Sequence, residues 1–170
     1  MVSKWLKICE EKGYTKPKIY QGMYNFIRRD AETSLFPILR DHGMNFIAFG
    51  PLAAGFLTGN FTKGNVQGTR AEGNGAISNA FRAVWGGKPE LHEIMNRLHT
   101  ALEPHGINSI EAVLRWLSHH SQLGPDDGII LGASKTGQLE RNVEAIRMGP
   151  LPQQVVQEIE GVWAALENNK

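Results

Sequence analysis

The chain has 170 residues, 41% of them hydrophobic, a formal net charge of +1 and a single cysteine, Cys9. That length fits one domain, residues 1–170, with enough apolar material for a core. The near-neutral balance argues against a nucleic-acid or membrane surface, one cysteine cannot form an internal disulfide, and no apolar run has the length of a membrane span.

The opening MVSKWLKICEEKG is amphipathic and of mixed charge, unlike a signal peptide. Together with the lone cysteine it points to a reducing, cytoplasmic setting. Periodicity predicts a helix over 3–11 with Val2, Trp5, Leu6 and Cys9 on one face, stopped by Gly13. Pro17 breaks the chain. Residues 18–25, KIYQGMYN, alternate as a strand does: Ile19, Gln21 and Met23 to one side, Tyr20 and Tyr24 to the other. Gly22 within that run marks a close approach of another backbone or a ligand. Asp30 is placed to cap a helix running to about His42, with Leu35, Ile38 and Leu39 inward and a kink at Pro37. Gly43 ends it. Residues 45–49, NFIAF, read as a second buried strand, closed by Gly50 and Pro51.

Residues 51–88 have no sustained periodicity. A loop of that length inside a compact domain is functional or disordered. Phe56, Phe61, Phe81 and Trp85 are scattered through it. They suggest ordering against something, such as a bound ligand; free disorder is the alternative. Pro89 then opens a helix whose inward face is Leu91, Ile94, Met95, Leu98 and Leu102, ended by Pro104 and Gly106. Asn108 and Glu111 make a capping-box start for the next helix, with Ile110, Val113, Trp116 and Leu117 inward. GPDDG, residues 124–128, is a turn. Residues 129–131 have the length of a buried strand, and a helix with Leu139, Val143 and Ile146 on one face follows. Pro152 precedes a last helix with Val155, Val156, Ile159, Val162 and Trp163 inward, and the polar tail over 167–170 is expected to fray.

Strands alternating with helices give an α/β chain with parallel strands. A parallel sheet buries both faces and protects its edges. Three strands with two free edges therefore read as part of a larger sheet, roughly half of a barrel or doubly wound fold.

The stretch over 128–142, GIILGASKTGQLERN, carries the chemistry most readily. Thr136 or Ser134 can cap the helix that starts there, so its free N–H groups point beyond the end of the strand. Partial positive charge at a helix start suits a phosphate, Lys135 and Arg141 add full charges, and Gly132 and Ala133 permit close approach to the backbone. The same pattern also fits an ordinary strand–turn–helix. No metal motif stands out: His119 and His120 are adjacent and point about 100° apart on a helix. His92 and His99, seven residues apart, could share a face but lack a third ligand at suitable spacing. Walker, GxGxxG and GxSxG sequences are absent, and Cys9 on an apolar helix face reads as a core residue.

Three segments in order, YQGMYN (20–25), FIAFGPLAAGFLTGNF (46–61) and IILGASKTGQLERNVEAI (129–146), resemble the carboxyl-terminal half of the aldo-keto reductases, and are most similar to the aflatoxin aldehyde reductase branch. RWLSHHSQLG (115–124) adds to the likeness, which covers nearly the whole chain. The resemblance implies a (β/α)8 TIM barrel that binds NADPH at the carboxyl ends of its strands, with the three strands here as its sixth, seventh and eighth. It implies that Gln21 meets the nicotinamide carboxamide and that Phe49 stacks on the nicotinamide ring. Gly50, Pro51, Leu52, Gly55, Leu57, Thr58, Gly59 and Asn60 match the loop around the pyrophosphate, with Arg70 a further basic contact, so residues 51–88 become a cofactor-wrapping loop. Gly132, Ser134, Lys135, Gln138, Arg141 and Asn142 match the pocket for the adenosine and its 2′-phosphate, which favours NADPH over NADH.

The family's catalytic Asp, Tyr, Lys and His belong to the half of the barrel that these residues do not match, so no catalytic residue is assigned. The expected function is NADPH-dependent reduction of small aldehydes and ketones, present as a half without its proton donor. The alternative is a non-catalytic NADPH-binding or interaction module resembling the potassium-channel β subunits. Free strand edges also imply self-association or pairing with an amino-terminal half.

Overall fold

The computed structural model describes residues 1–67 and 69–167. Its centre is a parallel sheet of β1 (Ile19–Met23), β2 (Asn45–Phe49) and β3 (Gly128–Ile130), in the order β1-β2-β3. The strands and long helices follow the expected order, with the helices α1 (Val2–Lys12), α2 (Ala31–Ser34), α3 (Phe36–Asp41), α4 (Ala76–Phe81), α5 (Pro89–Leu102), α6 (Ser109–His119), α7 (Thr136–Arg147) and α8 (Gln153–Glu167); the helix expected over 30–42 is two, α2 and α3, and α4 forms inside the expected loop. Of the tail over 167–170, only Glu167 lies within the described residues.

Register divides the sheet into two unlike faces. Tyr20 pairs with Phe46, and Gly22 with Ala48 and so with Ile129. On this face Phe46 and Ala48 are fully buried, and Phe36 of α3 meets the Phe46 ring edge-on at 4.9 Å. Gly22 is small because rings crowd it: a Cβ there would lie 2.8 Å from Phe46 Cζ and 2.9 Å from Tyr20 Cε1. The close approach expected at Gly22 is made by aromatic side chains rather than by a neighbouring backbone. The opposite face carries Ile19, Gln21, Met23, Ile47, Phe49 and Ile130. No helix among the described residues covers it, and Ile19 and Ile130 are 56% and 43% exposed. β3 is therefore not the buried strand expected over 129–131; its outward residues have nothing to lie against.

The other helices follow from local sequence. Gly13, in the left-handed region at φ 68°, stops α1. Val2 and Leu6 are buried but Trp5 is 52% exposed and Cys9 half-buried, so the contact stripe is narrower than the periodicity suggested. The helix expected over 30–42 breaks at Leu35 (φ −124°), two residues before Pro37, whose ring and missing N–H cannot continue the preceding turn. Asp30 makes no side-chain cap there. In α5 all five expected inward residues, Leu91, Ile94, Met95, Leu98 and Leu102, are buried. The side chain of Asn108 caps α6 by accepting from the Glu111 N–H at 3.0 Å, while the Glu111 carboxylate turns to Arg115 instead of completing the box. α8 buries Val155, Ile159, Val162 and Trp163.

The long loop is ordered by its own aromatics. Phe56 stacks with Trp85 at 6.4 Å, Phe61 meets Phe81 edge-on at 5.3 Å, and both Phe56 and Phe61 contact the His92 ring. A short 3-10 stretch, Ala53–Thr58, then α4 and a π turn, Arg82–Gly86, carry these rings inward. The partner expected for them is the loop itself together with α5.

Candidate functional site

All three strands run in parallel, so the segments that leave them lie at one end of the sheet. Gln21 and Phe49 stand on the same open face: Gln21 pairs with Ile47, and Phe49 lies two residues further along β2, opposite Met23 and Ile130. Gln21 is exposed and Phe49 half-buried. A groove along the free edge of β1, lined by Met1, Tyr20, Gly22, Leu35 and Phe46, involves the opposite face.

The turn after β2 is built on unusual backbone. Gly50 has φ 67°, and Ala53, Ala54 and Gly55 follow at φ 49°, 58° and 101°. Alanine enters the left-handed region at a cost of about 1–2 kcal/mol, and such strain gathers at ligand clamps and active sites. Neither sequence periodicity nor composition signals it; two successive alanines look unremarkable. Gly55 has open space where a Cβ would sit. Asn25, fully buried, holds the start of this turn: its side-chain amide donates to the Gly50 carbonyl at 2.9 Å, and its oxygen accepts from the Ile27 N–H at 3.2 Å. This brace was not singled out from sequence, although Asn25 closes the YQGMYN segment.

The remaining residues of the segment divide by exposure. Leu57 is fully buried, Pro51 and Gly59 are buried, and Leu52 is half-buried, so the segment turns backbone more than side chains to solvent. The Thr58 hydroxyl donates to the Gly55 carbonyl at 2.7 Å and accepts from the Asn60 N–H at 3.3 Å, closing a tight turn. Asn60 and Arg70 are exposed.

At the end of β3 the chain passes through exposed Gly132 to α7. The cap residue is Lys135, in extended conformation and with no side-chain cap bond, rather than Thr136 or Ser134. Ser134 is engaged differently: its N–H and hydroxyl both donate to Gln138 Oε1, at 3.1 and 3.0 Å. The Arg141 guanidinium folds back toward the helix start, with Nη1 3.6 Å from where a Cβ on Gly137 would lie. Lys135 and Arg141 are exposed, so two full positive charges stand with the partial charge of the first turn. Asn142 and Ala145 are the buried residues of α7, whereas of the expected apolar stripe Leu139 is 40% exposed and Val143 and Ile146 are half-buried.

The tyrosines stand apart from this end of the open face. Tyr14 is exposed beyond α1 and Tyr20 points to the covered face. Tyr24 is buried, donates to Glu32 at 2.6 Å and accepts from the Gln122 N–H at 3.2 Å; burial, then the Glu32 bond, pushes its hydroxyl pKa well above the usual range. The histidine pair after α6 is structural: the His119 Nε2–H donates to the Ile146 carbonyl at 3.0 Å, and His120 Nε2 accepts from the Leu151 N–H at 2.8 Å. Burial, with His119 and Arg115 nearby, holds the His120 pKa down. Among the described residues no group of metal-binding side chains converges, and no helix is long and apolar enough to cross a membrane.

After β2 stands a strained, open backbone turn, and after β3 exposed cationic side chains stand at a helix start. The Aldo/keto reductase family model matches residues 2–164. An aldo-keto reductase of Pseudocercospora fijiensis is 35% identical across 99% of this chain and 58% of its own length. Human aldo-keto reductase family 7 member A3 is 36% identical across 95% and 51%, and human aflatoxin B1 aldehyde reductase member 2 is 37% identical across 95% and 47%. The chain spans about half the length of the curated relatives it matches. With the matched family model covering all three strands and the segments that leave them, the chain belongs to the aldo/keto reductase family.

Proposed function

We propose that these residues form the cofactor-holding part of an NADPH-dependent reductase of aldehydes and ketones, folded as about half of a (β/α)8 barrel. The observation that carries this reading is the left-handed run at Ala53, Ala54 and Gly55 directly after β2, at the sheet end where Lys135 and Arg141 flank the start of α7. The residues fit the cofactor. Gly55 and Gly132 leave room for close approach, and exposed Lys135 and Arg141 match a 2′-phosphate. Gly50, Pro51, Leu52, Gly55, Leu57, Thr58, Gly59 and Asn60 would cradle the pyrophosphate mainly through backbone, with Arg70 nearby. Ser134 and Gln138 would exchange their mutual bond for the adenosine, Gly132 and Asn142 would shape its pocket, and Gln21 and Phe49 would receive the nicotinamide on the open face.

NADPH, when bound, supplies the hydride. Reduction of a carbonyl also requires a proton donor for the developing alkoxide. On the family resemblance that donor belongs to residues outside this sequence, so this chain alone binds cofactor and turns over slowly or not at all. The name of one human relative, aflatoxin B1 aldehyde reductase member 2, supports an aldehyde as substrate. The open face, with exposed Ile19 and Ile130, favours a second element of the reading: further polypeptide, an amino-terminal half or a second copy, covers it. A chain that binds NADPH without ever reducing a carbonyl, even when that face is covered, would instead be a non-catalytic nucleotide-binding module. Assay of the purified chain with NADPH and 4-nitrobenzaldehyde tests the assignment. Cofactor binding with little turnover is expected; reduction at an ordinary reductase rate would contradict the missing donor.

A further inference from the structure

Two histidines seven residues apart on α5, His92 and His99, both turn toward the 51–88 loop. The His92 ring joins the two ends of that loop. Its Nε2 lies 3.0 Å from the Gly86 carbonyl, which can only accept, so Nε2 carries the proton. In the neutral ring Nδ1 then accepts from the Thr62 hydroxyl at 2.9 Å. Phe61 stacks on the ring at 5.5 Å and Phe56 meets it edge-on at 5.4 Å. One turn pair further along α5, His99 occupies the space over Gly59. A Cβ on Gly59, at φ 79°, would lie 2.3 Å from His99 Nε2. That nitrogen is buried without a partner, and burial with nearby Lys63 holds the ring's pKa low. A third tie comes from α6, where the Ser109 hydroxyl donates to the Thr58 carbonyl at 3.3 Å.

We infer that His92 is a positioning residue that fastens the loop to α5 in advance of any ligand, with His99 filling the space over Gly59, and so favours the anion-holding conformation of the 50–60 segment. The inference deepens the NADPH reading above and rests on it. Ordering a long loop at the moment of binding subtracts from affinity; a loop already held at Thr62 and Gly86 binds with less of that penalty. The seven-residue spacing, which lacked a third ligand for a metal, puts both rings on the helix face toward the loop, His92 bonded to it and His99 packed over Gly59.

The test is native-state hydrogen exchange on the full chain, paired with NADPH titration, for wild type, His92→Ala, His92→Gln and Thr62→Val. Fastening by His92 predicts that His92→Ala speeds exchange over 56–64 and 82–88 by about tenfold or more, with β2 amides unchanged, and weakens NADPH by about tenfold. His92→Gln, which keeps a donor for the Gly86 carbonyl, recovers part of both effects. Thr62→Val removes one bond while keeping the ring, and gives a smaller change of the same sign even where His92→Ala fails to fold. Unchanged loop exchange in the variants, or an opened loop with unaltered NADPH affinity, would overturn the inference. Failure of the wild type to bind millimolar NADPH would overturn the cofactor reading instead, while the exchange arm still reports the fastening.

Discussion

The side-chain amide of Asn25 donates to the carbonyl of Gly50 at 2.9 Å, tying the residue just beyond β1 to the first residue after β2. The two strands are thus held together at the end where the candidate site's segments leave, by a bond outside the sheet's own ladder. Asn25 is fully buried, so its removal takes away the partner of the Ile27 N–H and leaves the Gly50 carbonyl only its bond from the Ala53 N–H. Asn25→Ala is expected to destabilise the fold by about 1–3 kcal/mol, read as a lowered urea midpoint. A loss of only about 0.3 kcal/mol or less, well below that range, would mean that water replaces the brace.

Asp127 performs the matching task at the opposite end of β2. Its carboxylate accepts from the Phe46 N–H at 2.6 Å, the Gly124 N–H at 2.7 Å and the Arg40 guanidinium, with its side chain 1% exposed. Burial alone would raise its pKa; the Arg40 bond and the two N–H bonds outweigh it and hold the carboxyl below the usual aspartate range. A depressed folded pKa means that the unfolded chain takes up the proton first. The stabilisation is complete above the ordinary aspartate pKa of about 3.9 and is lost as pH falls through the depressed value. Urea midpoints measured at falling pH should therefore drop less steeply in Asp127→Asn than in wild type. Parallel acid limbs in the two proteins would assign the acid sensitivity to other carboxylates.

How much of this was legible beforehand depends on how local the cause is. α5 was readable because a single period matched a single buried face, and every expected inward residue of it is buried; β2 spans the residues expected but buries only alternate ones. Trp5, Leu139 and Ile130 went the other way: periodicity finds an apolar face but not whether anything covers it, and here they are 52%, 40% and 43% exposed. The break at Leu35 was expected as a bend because Pro37 acts locally. The loop's order was not legible, since Phe56–Trp85 and Phe61–Phe81 join residues far apart in sequence. At the candidate site, the glycines after β2 and the cations after β3 stood out by composition. The left-handed alanines, the Asn25 brace and the Ser134–Gln138 pairing did not, because each depends on tertiary placement.

Ala54 offers a test of the backbone strain. It is exposed at φ 58°, so replacing its methyl removes little packing. Glycine relieves about 1–2 kcal/mol of left-handed strain and loses about 0.5–1 kcal/mol to chain entropy. Ala54→Gly should raise the melting temperature slightly. A lower melting temperature would show that the turn is not strained.

The carboxyl-terminal helix is bound to the loop after β1 by charge and aromatic contact. Arg29, 7% exposed, reaches Glu160 at 2.8 Å and lies 3.9 Å from the Trp116 ring centroid, while the Trp116 N–H donates to the same carboxylate. Glu160→Ala strands a buried guanidinium, whose Nη2 already lacks a partner. Because the Glu160 side chain is 39% exposed, the loss should fall near the lower end of the range for broken buried pairs, about 3 kcal/mol, in urea denaturation. A loss below about 1 kcal/mol would match a surface pair instead.

The central claim is that the ends of these three strands hold a dinucleotide carrying a 2′-phosphate. Titration of the intact chain with NADPH and with NADH, followed by tryptophan fluorescence, examines it most directly, with Lys135→Ala/Arg141→Ala as the paired variant. The account predicts saturable quenching by NADPH, binding of NADH weaker by about tenfold or more, and loss of that preference in the double variant. Equal affinity for the two cofactors in wild type, or no response to either at millimolar concentration, would contradict it.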